Sequence, residues 1–273
     1  MTEVSIQPAS RLAGAARPSR SILADIRIDY GPPDALNRLF LNADTEARAK
    51  GIFLSFCSFE ELLAINARNP DSWQPLLPMF RPGLGITDDS AFCIVARNAS
   101  GEAVATTAIR FYRWLDTNLK AEAESLRMFY ADPEKSSPPG NSCRITAFSA
   151  ENIKGRVAFS GAVWYRPDHR RLGLHDILGR VAKALAFTRW YTDTIFAFMA
   201  ESIVARGFAQ RSGYDKIEWD VLVNIAPWGQ ARAALLHSST DYLMQNYLFD
   251  DLSAYAKIDG RIGHRAADQH RRA

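Results

Sequence analysis

The sequence predicts an α/β (α+β) fold, a central sheet flanked by helices, and three stretches carry that prediction. Residues 163–178 run from an apolar strand through a proline and a glycine-bearing turn directly into an amphipathic helix. Residues 91–111 read as two strands joined by the short turn Asn98-Ala99-Ser100-Gly101. Residues 194–223 then give strand, helix and strand in succession.

In chain order, Ala24 to Asp29 resembles a first strand, and Pro33 to Lys50 a helix opened by Pro32-Pro33-Asp34. Ile52 to Phe56 is a brief apolar strand, and Ser58 followed by Glu61 is a capping-box signature ahead of Leu62, Leu63 and Ile65. The proline-rich piece Trp73 to Pro82 closes this arm, whose aromatics Phe53, Phe56, Phe59 and Trp73 are read as core rather than as a ligand pocket. The hairpin Ala91 to Asn98 and Glu102 to Phe111 follows. An insertion, Leu115 to Asn141, carries a helix with Leu119, Ala123, Leu126 and Phe129 on one stripe, then the loop Ser136-Ser137-Pro138-Pro139-Gly140. Arg156 to Tyr165 is the strand that leads to the central turn.

In the helix after that turn, Leu174, Ile177, Leu178, Val181 and Leu185 recur at three- and four-residue steps, while Asp176, Arg180, Lys183 and Arg189 take the other face. The first amides of such a helix lack intrahelical acceptors, and the macrodipole adds roughly half a positive charge there, so backbone alone can hold phosphate oxygens. Gly173 costs a helix interior about 1 kcal/mol relative to alanine, which fits a turn that a ligand approaches closely. A turn glycine with no ligand is the plain alternative. Further on, Thr194 to Met199 is a short strand, Ser202 to Ser212 a helix stopped by Gly213, and Lys216 to Val223 a strand with Ile217, Trp219, Val221 and Val223 inward and Lys216, Glu218 and Asp220 outward. Thr240 to Tyr255 resembles another amphipathic helix through Leu243, Tyr247 and Leu248.

With these elements in place, the chain resembles the GCN5-related N-acetyltransferase (GNAT) superfamily, as a divergent member, over about Ala91 to Val223. Pro167-Asp168-His169-Arg170-Arg171-Leu172-Gly173-Leu174-His175 is similar to that family's pyrophosphate-binding pattern of Gln or Arg, two residues, Gly, one residue, then Gly or Ala. Ala205-Arg206-Gly207-Phe208-Ala209-Gln210-Arg211-Ser212-Gly213-Tyr214 looks like the later helix ending in Gly-Phe or Gly-Tyr. The resemblance implies a mixed, strongly twisted sheet whose fourth and fifth strands splay to leave a slot for a pantetheine arm. It implies backbone contacts to the cofactor from Val163 and Tyr165 and a phosphate cradle over Arg170, Arg171, Leu172, Gly173, Leu174, His175 and Asp176.

Departures from the family pattern leave the catalytic groups open. His175 stands where the family has Gly or Ala, Ala209 where a tyrosine often protonates the leaving thiolate, and Ser202 where Asn is common; Ser160, Gly161 and Ala162 offer no glutamate base. Candidate replacements are His169 and His175, which flank the pocket and titrate near neutrality, together with Glu151, Asp116 and Tyr112 on the acceptor side, and Tyr191 or Tyr214 as acids. For each, a solvated or simply buried side chain is the alternative.

Composition sets the remaining bounds. At 273 residues and 47% hydrophobic content the chain can bury a sizeable core, and the net charge of +3 does not suggest a nucleic-acid partner. No apolar run approaches the roughly 20 residues of a membrane span, and no secretory signal is visible, so a cytoplasmic location is expected. Cys57, Cys93 and Cys143 show neither zinc spacing nor a disulfide framework, Cys93 reads as a small buried hydrophobe, and no metal site is expected. The expected organisation is a disordered leader over 1–23, a single domain over 24–256 (arm 24–90, core 91–223, C-terminal arm 224–256) and a disordered basic tail over 257–273. The C-terminal arm could complete the fold or pair with a second subunit as a homodimer.

The expected function is an acyl-CoA-dependent N-acyltransferase, using acetyl-CoA or another acyl-CoA to acylate a primary amine of a small metabolite or peptide. Two alternatives stay open: an N-acyl synthase taking longer chains from acyl carrier protein, and a non-catalytic GNAT-fold protein that binds a ligand or partner.

Overall fold

A computed structural model of the protein describes residues 21–248, and within them eight strands form one mixed sheet. These are β1 (Phe53–Cys57), β2 (Ala91–Arg97), β3 (Ala103–Trp114), β4 (Ser142–Ile145), β5 (Gly155–Tyr165), β6 (Thr194–Ala200), β7 (Lys216–Ile225) and β8 (Gly229–Ser239), in the spatial order β1-β2-β3-β5-β6-β8-β7-β4. The helices are α1 (Pro33–Ala49), α2 (Phe59–Ala67), α3 (Leu119–Glu124), α4 (Pro133–Ser136), α5 (Leu174–Trp190), α6 (Glu201–Val204) and α7 (Phe208–Arg211), and a last helix, α8, includes residues 240–248. Every neighbouring strand pair is antiparallel except β5 and β6. A parallel pair needs a crossover, which α5 supplies.

Strand alternation sends side chains to two separate cores. On one face Ala158, Ile195 and Leu236 meet Phe40 of α1, Ile177 and Leu178 of α5, and Leu243 of α8. On the other, Val157, Phe159, Phe196 and Leu235 meet Leu62 of α2, Phe80 of the 3-10 turn Pro78–Phe80, and Phe129 after α3. Helices on both faces cover the central part of the sheet, and the unbroken apolar run Ala91 to Ala96 of β2, buried throughout, follows from that.

Several expectations are corrected. Ala24 to Asp29 is not a strand: Ile22–Ala24 is a 3-10 turn capped by Ser21, and the chain then runs irregularly to Tyr30, whose amide donates to the Thr188 carbonyl at 3.0 Å. Ile26 and Ile28 still pack on the core, so their alternation signals burial without a strand partner. Ile22 is buried as well, which brings the chain into the fold before residue 24. Residues 1–20 of the expected leader, residues 249–256 and the expected tail at 257–273 lie outside the described residues. The capping box forms by half: the Glu61 amide donates to Ser58 Oγ at 3.1 Å, but the Glu61 carboxylate turns to Arg97. The helix expected from Ser202 to Ser212 divides into α6 and α7 at Gly207, whose φ of 73° is left-handed. Trp219 points outward because Trp219 and Asp220 together oppose one residue of β8, between the pairs Glu218–Leu235 and Val221–Ala233; this bulge lays its ring under the Arg232 guanidinium at 4.7 Å. Residues 224–248, expected as an arm, supply β8 between β6 and β7, and α8.

A polar tie fixes β7 to the segment before β5. Glu218 accepts from the Ser149 amide at 2.9 Å and from the Ser149 hydroxyl, and its Oε1 lies 2.9 Å from His237 Nε2. Partial burial pulls the Glu218 carboxyl upward, but the Ser149 hydroxyl, His237 and the Ser149 amide outweigh it and hold the group at about 2. A carboxylate depressed in the folded state adds stability above its unfolded value, and that stability is lost as pH falls through the folded one. Stability should therefore drop between about pH 4.5 and 2, and Glu218→Gln should flatten that limb while costing about 1–3 kcal/mol at neutral pH. Urea unfolding at a series of pH values tests this; an unchanged acid limb in the variant contradicts it.

Candidate functional site

β5 and β6 pair only at Val157–Thr194, Ala158–Ile195 and Phe159–Phe196. Beyond Phe159, β5 stays with β3 and β6 with β8, so a slot opens between their C-terminal halves. A bulge sits at its edge: Gly161 opposes Ala108 and Trp164 opposes Thr106, three steps on β5 against two on β3. Ala162 takes a left-handed φ of 48°, its carbonyl accepts from the Thr106 hydroxyl at 2.9 Å, and Val163 is left 47% exposed. Trp164 anchors the far side by stacking on Trp73 at 5.4 Å and donating to Ser72 Oγ. Trp73, half-buried, thus packs against the core and brings the N-terminal arm up to the bulge.

The strand-to-helix corner is tied by ion pairs and left open at its backbone. Arg166 pairs with Glu102 at 3.1 Å and with Asp168 at 2.8 Å, and His169 Nδ1 lies 2.8 Å from the same Asp168 carboxylate. The hydrogen bonds from Arg166 and then His169 hold Asp168 at about 2. Arg171 and Gly173 both have left-handed φ, 78° and 72°, and no side chain caps the start of α5. Nothing lies within 4 Å of where a Gly173 Cβ would be, so the glycine answers a backbone requirement and borders open space. Arg170 spends its Nε on the Tyr165 carbonyl at 3.1 Å, and the Asp176 amide already donates to the Gly173 carbonyl at 3.1 Å. The amides available to an anion therefore precede Asp176. Leu174 is buried and anchors the helix start, while Leu172 and Arg171 are exposed. His175 Nε2 sits 3.1 Å from Asp176, and its ring meets the edge of Phe208 on α7, with 6.5 Å between centroids.

Two buried polar groups stand under the slot. Lys183, expected on the wet face of α5, is buried; its Nζ donates to the Ser212 carbonyl at 2.6 Å and lies 3.9 Å from the centre of the Tyr214 ring. Burial with no carboxylate to offset it pushes this amine down to about 7. The Tyr214 hydroxyl is buried beside Ser160, the first β5 residue past the last β5–β6 pair, yet makes no hydrogen bond of good geometry. Burial drives its acidity down, so it stays protonated at neutral pH. Sequence periodicity gave no sign of this pairing, which depends on α5 meeting the turn ahead of β7.

The other sequence candidates lie elsewhere. Glu151 is exposed and ion-paired to Lys120 at 2.7 Å, ahead of the N-terminal end of β5. Tyr112 donates its hydroxyl to the Met128 carbonyl, Asp116 is exposed, and Tyr191 caps the far end of α5 beneath the Arg156 guanidinium. A groove of about 530 Å³ lined by Tyr30, Phe111, Arg113, Arg156 and Trp190 opens at that far end and shares no residue with the corner. Among the described residues, no group of three or more His, Cys, Asp or Glu side chains could hold a metal ion, and no helix is long and apolar enough to cross a membrane.

No protein-family model matches the sequence, and no curated protein matches it. Among solved structures, the chain is similar to mutant forms of the spermidine/spermine N-acetyltransferase SpeG from Vibrio cholerae, at 12% identity over 72% of this chain and 98% of that one, with a TM-score of 0.44. It is also similar to an aminoglycoside acetyltransferase in complex with coenzyme A and kanamycin, at 14% identity over 71% of this chain and 98% of that one, with a TM-score of 0.40.

The buried amine yields a pH signature. With Lys183 at about 7 in the folded protein against 10.5 for the free side chain, the unfolded chain holds more protons between those values, so stability rises with pH across that window. Lys183→Met should remove this slope and raise stability near pH 7 by about 1–3 kcal/mol. Denaturation at pH 6.5, 8 and 9.5 checks it, and parallel slopes for the two proteins would refute it.

Proposed function

We propose that the protein is an acyl-CoA-dependent N-acyltransferase that moves an acetyl group from acetyl-CoA to a primary amine of a small cytoplasmic metabolite or peptide. The observation that carries this reading is the three-pair contact between β5 and β6 followed by their divergence, with the uncapped start of α5 at one end of the opening and an unbonded buried hydroxyl at the other. An elongated carrier with a diphosphate at one end and a thioester at the other matches that layout.

In this reading the backbone amides from Leu172 to His175 receive the diphosphate, where the α5 dipole favours negative charge. The bulged backbone at Val163, released from β3, pairs with the amide groups of the pantetheine arm, and the arm enters beside Ser160. The acceptor amine attacks the thioester carbonyl; a C–N bond forms, the C–S bond breaks, and the thiolate takes a proton. Tyr214 Oη supplies that proton or a strong hydrogen bond, because it is buried beside Ser160 with no bond of good geometry and lies in a low-dielectric site where such a contact is worth more than in water. His169 and His175 serve the corner: His169 braces Asp168, and His175 closes the space toward Phe208. No side chain of β5 is assigned as base, so the amine arrives unprotonated or sheds its proton to water.

Three measurements test the reading. Titration calorimetry should show acetyl-CoA binding to the folded protein, and no binding at all would end the proposal. Gly173→Val places a β-branched residue at left-handed φ, a strain of about 1–2 kcal/mol, and should weaken acetyl-CoA binding by about tenfold; unchanged affinity speaks against the cradle. Tyr214→Phe should keep the fold and acetyl-CoA affinity while lowering kcat about 10²-fold, and an unaltered kcat would remove Tyr214 from the chemistry. Acyl-CoA and acyl carrier protein donors compared side by side distinguish the two donor classes, since the carrier offers phosphopantetheine without the adenosine diphosphate half.

A further inference from the structure

Cys57 and Cys93 stand far apart in the sequence but face each other across the first two strands. They are register partners in the antiparallel β1–β2 pair, and their sulfurs lie 2.8 Å apart. Residues directly opposite in such a pair have Cα atoms about 4.5 or 5.5 Å apart, both inside the roughly 4.4–6.8 Å that a disulfide spans. Their side chains also leave the sheet on the same face. Both thiols are free, and the Cys93 thiol donates to the Cys57 carbonyl at 2.7 Å. The two differ in access: Cys57 is half-buried and Cys93 buried. The contact with Cys57, together with burial, pushes the Cys93 thiol up.

We propose that Cys57 and Cys93 form a reversible oxidation site that closes into a cross-strand disulfide by exchange with a low-molecular-weight disulfide. The more accessible Cys57 reacts first. Its thiolate attacks one sulfur of the small disulfide, expels one small thiol and becomes a mixed disulfide. Cys93 then loses its proton, attacks Cys57 Sγ and expels the second small thiol. Two protein thiols are oxidised to one disulfide, one small disulfide is reduced to two thiols, and no other oxidant is needed. Cys143 lies on β4 at the opposite edge of the sheet and takes no part.

The staple would act at the root of α2, because Ser58, next to Cys57, is the α2 cap. From α2, Phe59 stacks on Phe80 at 6.5 Å and Phe80 on Phe159 at 5.9 Å, at the last β5–β6 pair. Oxidation therefore stiffens one wall behind the slot. The pairing of the two sulfurs is independent of whatever the slot binds.

The test equilibrates the full-length folded protein with oxidised glutathione and, separately, with dithiothreitol, then counts thiols after denaturation and maps peptides by mass spectrometry. The oxidised sample should fall from three thiols to one, lose two hydrogens in mass and give a Cys57–Cys93 linked peptide that dithiothreitol removes. Its melting temperature should rise by about 5–10 °C. Cys93→Ser should stop at the mixed disulfide and carry glutathione on Cys57, whereas Cys57→Ser should give no linked peptide. Three thiols retained by the wild-type protein, or a linkage through Cys143, would overturn the proposal; the wild-type count decides even if a variant fails to fold.

Discussion

The parting of β5 from β6 is the constraint on which the rest of this molecule depends. A parallel pair buried on both faces normally continues as far as its strands reach, because every unpaired peptide group inside a protein costs free energy. Here the pair stops at Phe159 and Phe196 although both strands run on. Each strand keeps its other neighbour, β3 for one and β8 for the other, so neither loses its place in the sheet. What they lose is one row of hydrogen bonds, and the bulge at Ala162 and Val163 turns the β5 side of that row toward the gap.

How the groups around the gap are arranged follows from the crossover. α5 must leave the C-terminal end of β5 and return over one face, so its N-terminus and the strand's exposed backbone share a corner. The arginine and carboxylate ties at Arg166, Glu102 and Asp168 hold that corner in shape. Further along, α5 carries Lys183 beneath the gap, where a hydrophobic residue would be the more stable choice. A buried amine and a buried phenol without a well-formed hydrogen bond lie side by side there, an arrangement that lowers stability.

Much of this was legible in the sequence, and the failures have physical reasons. The hairpin, β5, α5 and β6 announce themselves through periodicity and turn residues, and α1 matches its expected span to a single residue. β8 is hidden in the sequence because Ala233, Ala234, Leu235 and Leu236 are covered on both faces and do not alternate, and β4 because four residues are too short to carry a pattern. Trp219 defeated the alternation rule because one bulge reverses the facing of whatever it contains. At the site, the glycine turn could be read locally, whereas the exposure of Val163 could not, because it follows from a bulge against β3. The meeting of Lys183 with Tyr214 could not, since a residue on the polar side of an isolated helix becomes interior only when another segment closes over it.

The sheet's order has a bearing on the company the molecule keeps. Among the described residues its two rims, β1 and β4, are its two shortest strands, with five and four residues, while long ones such as β3, β5 and β8 are enclosed. A brief rim gives a stray strand little to zip onto, so a broad sheet of this kind resists fibre-like growth without a closed barrel or a charged border. Any association between copies is thereby steered away from strand-to-strand joining.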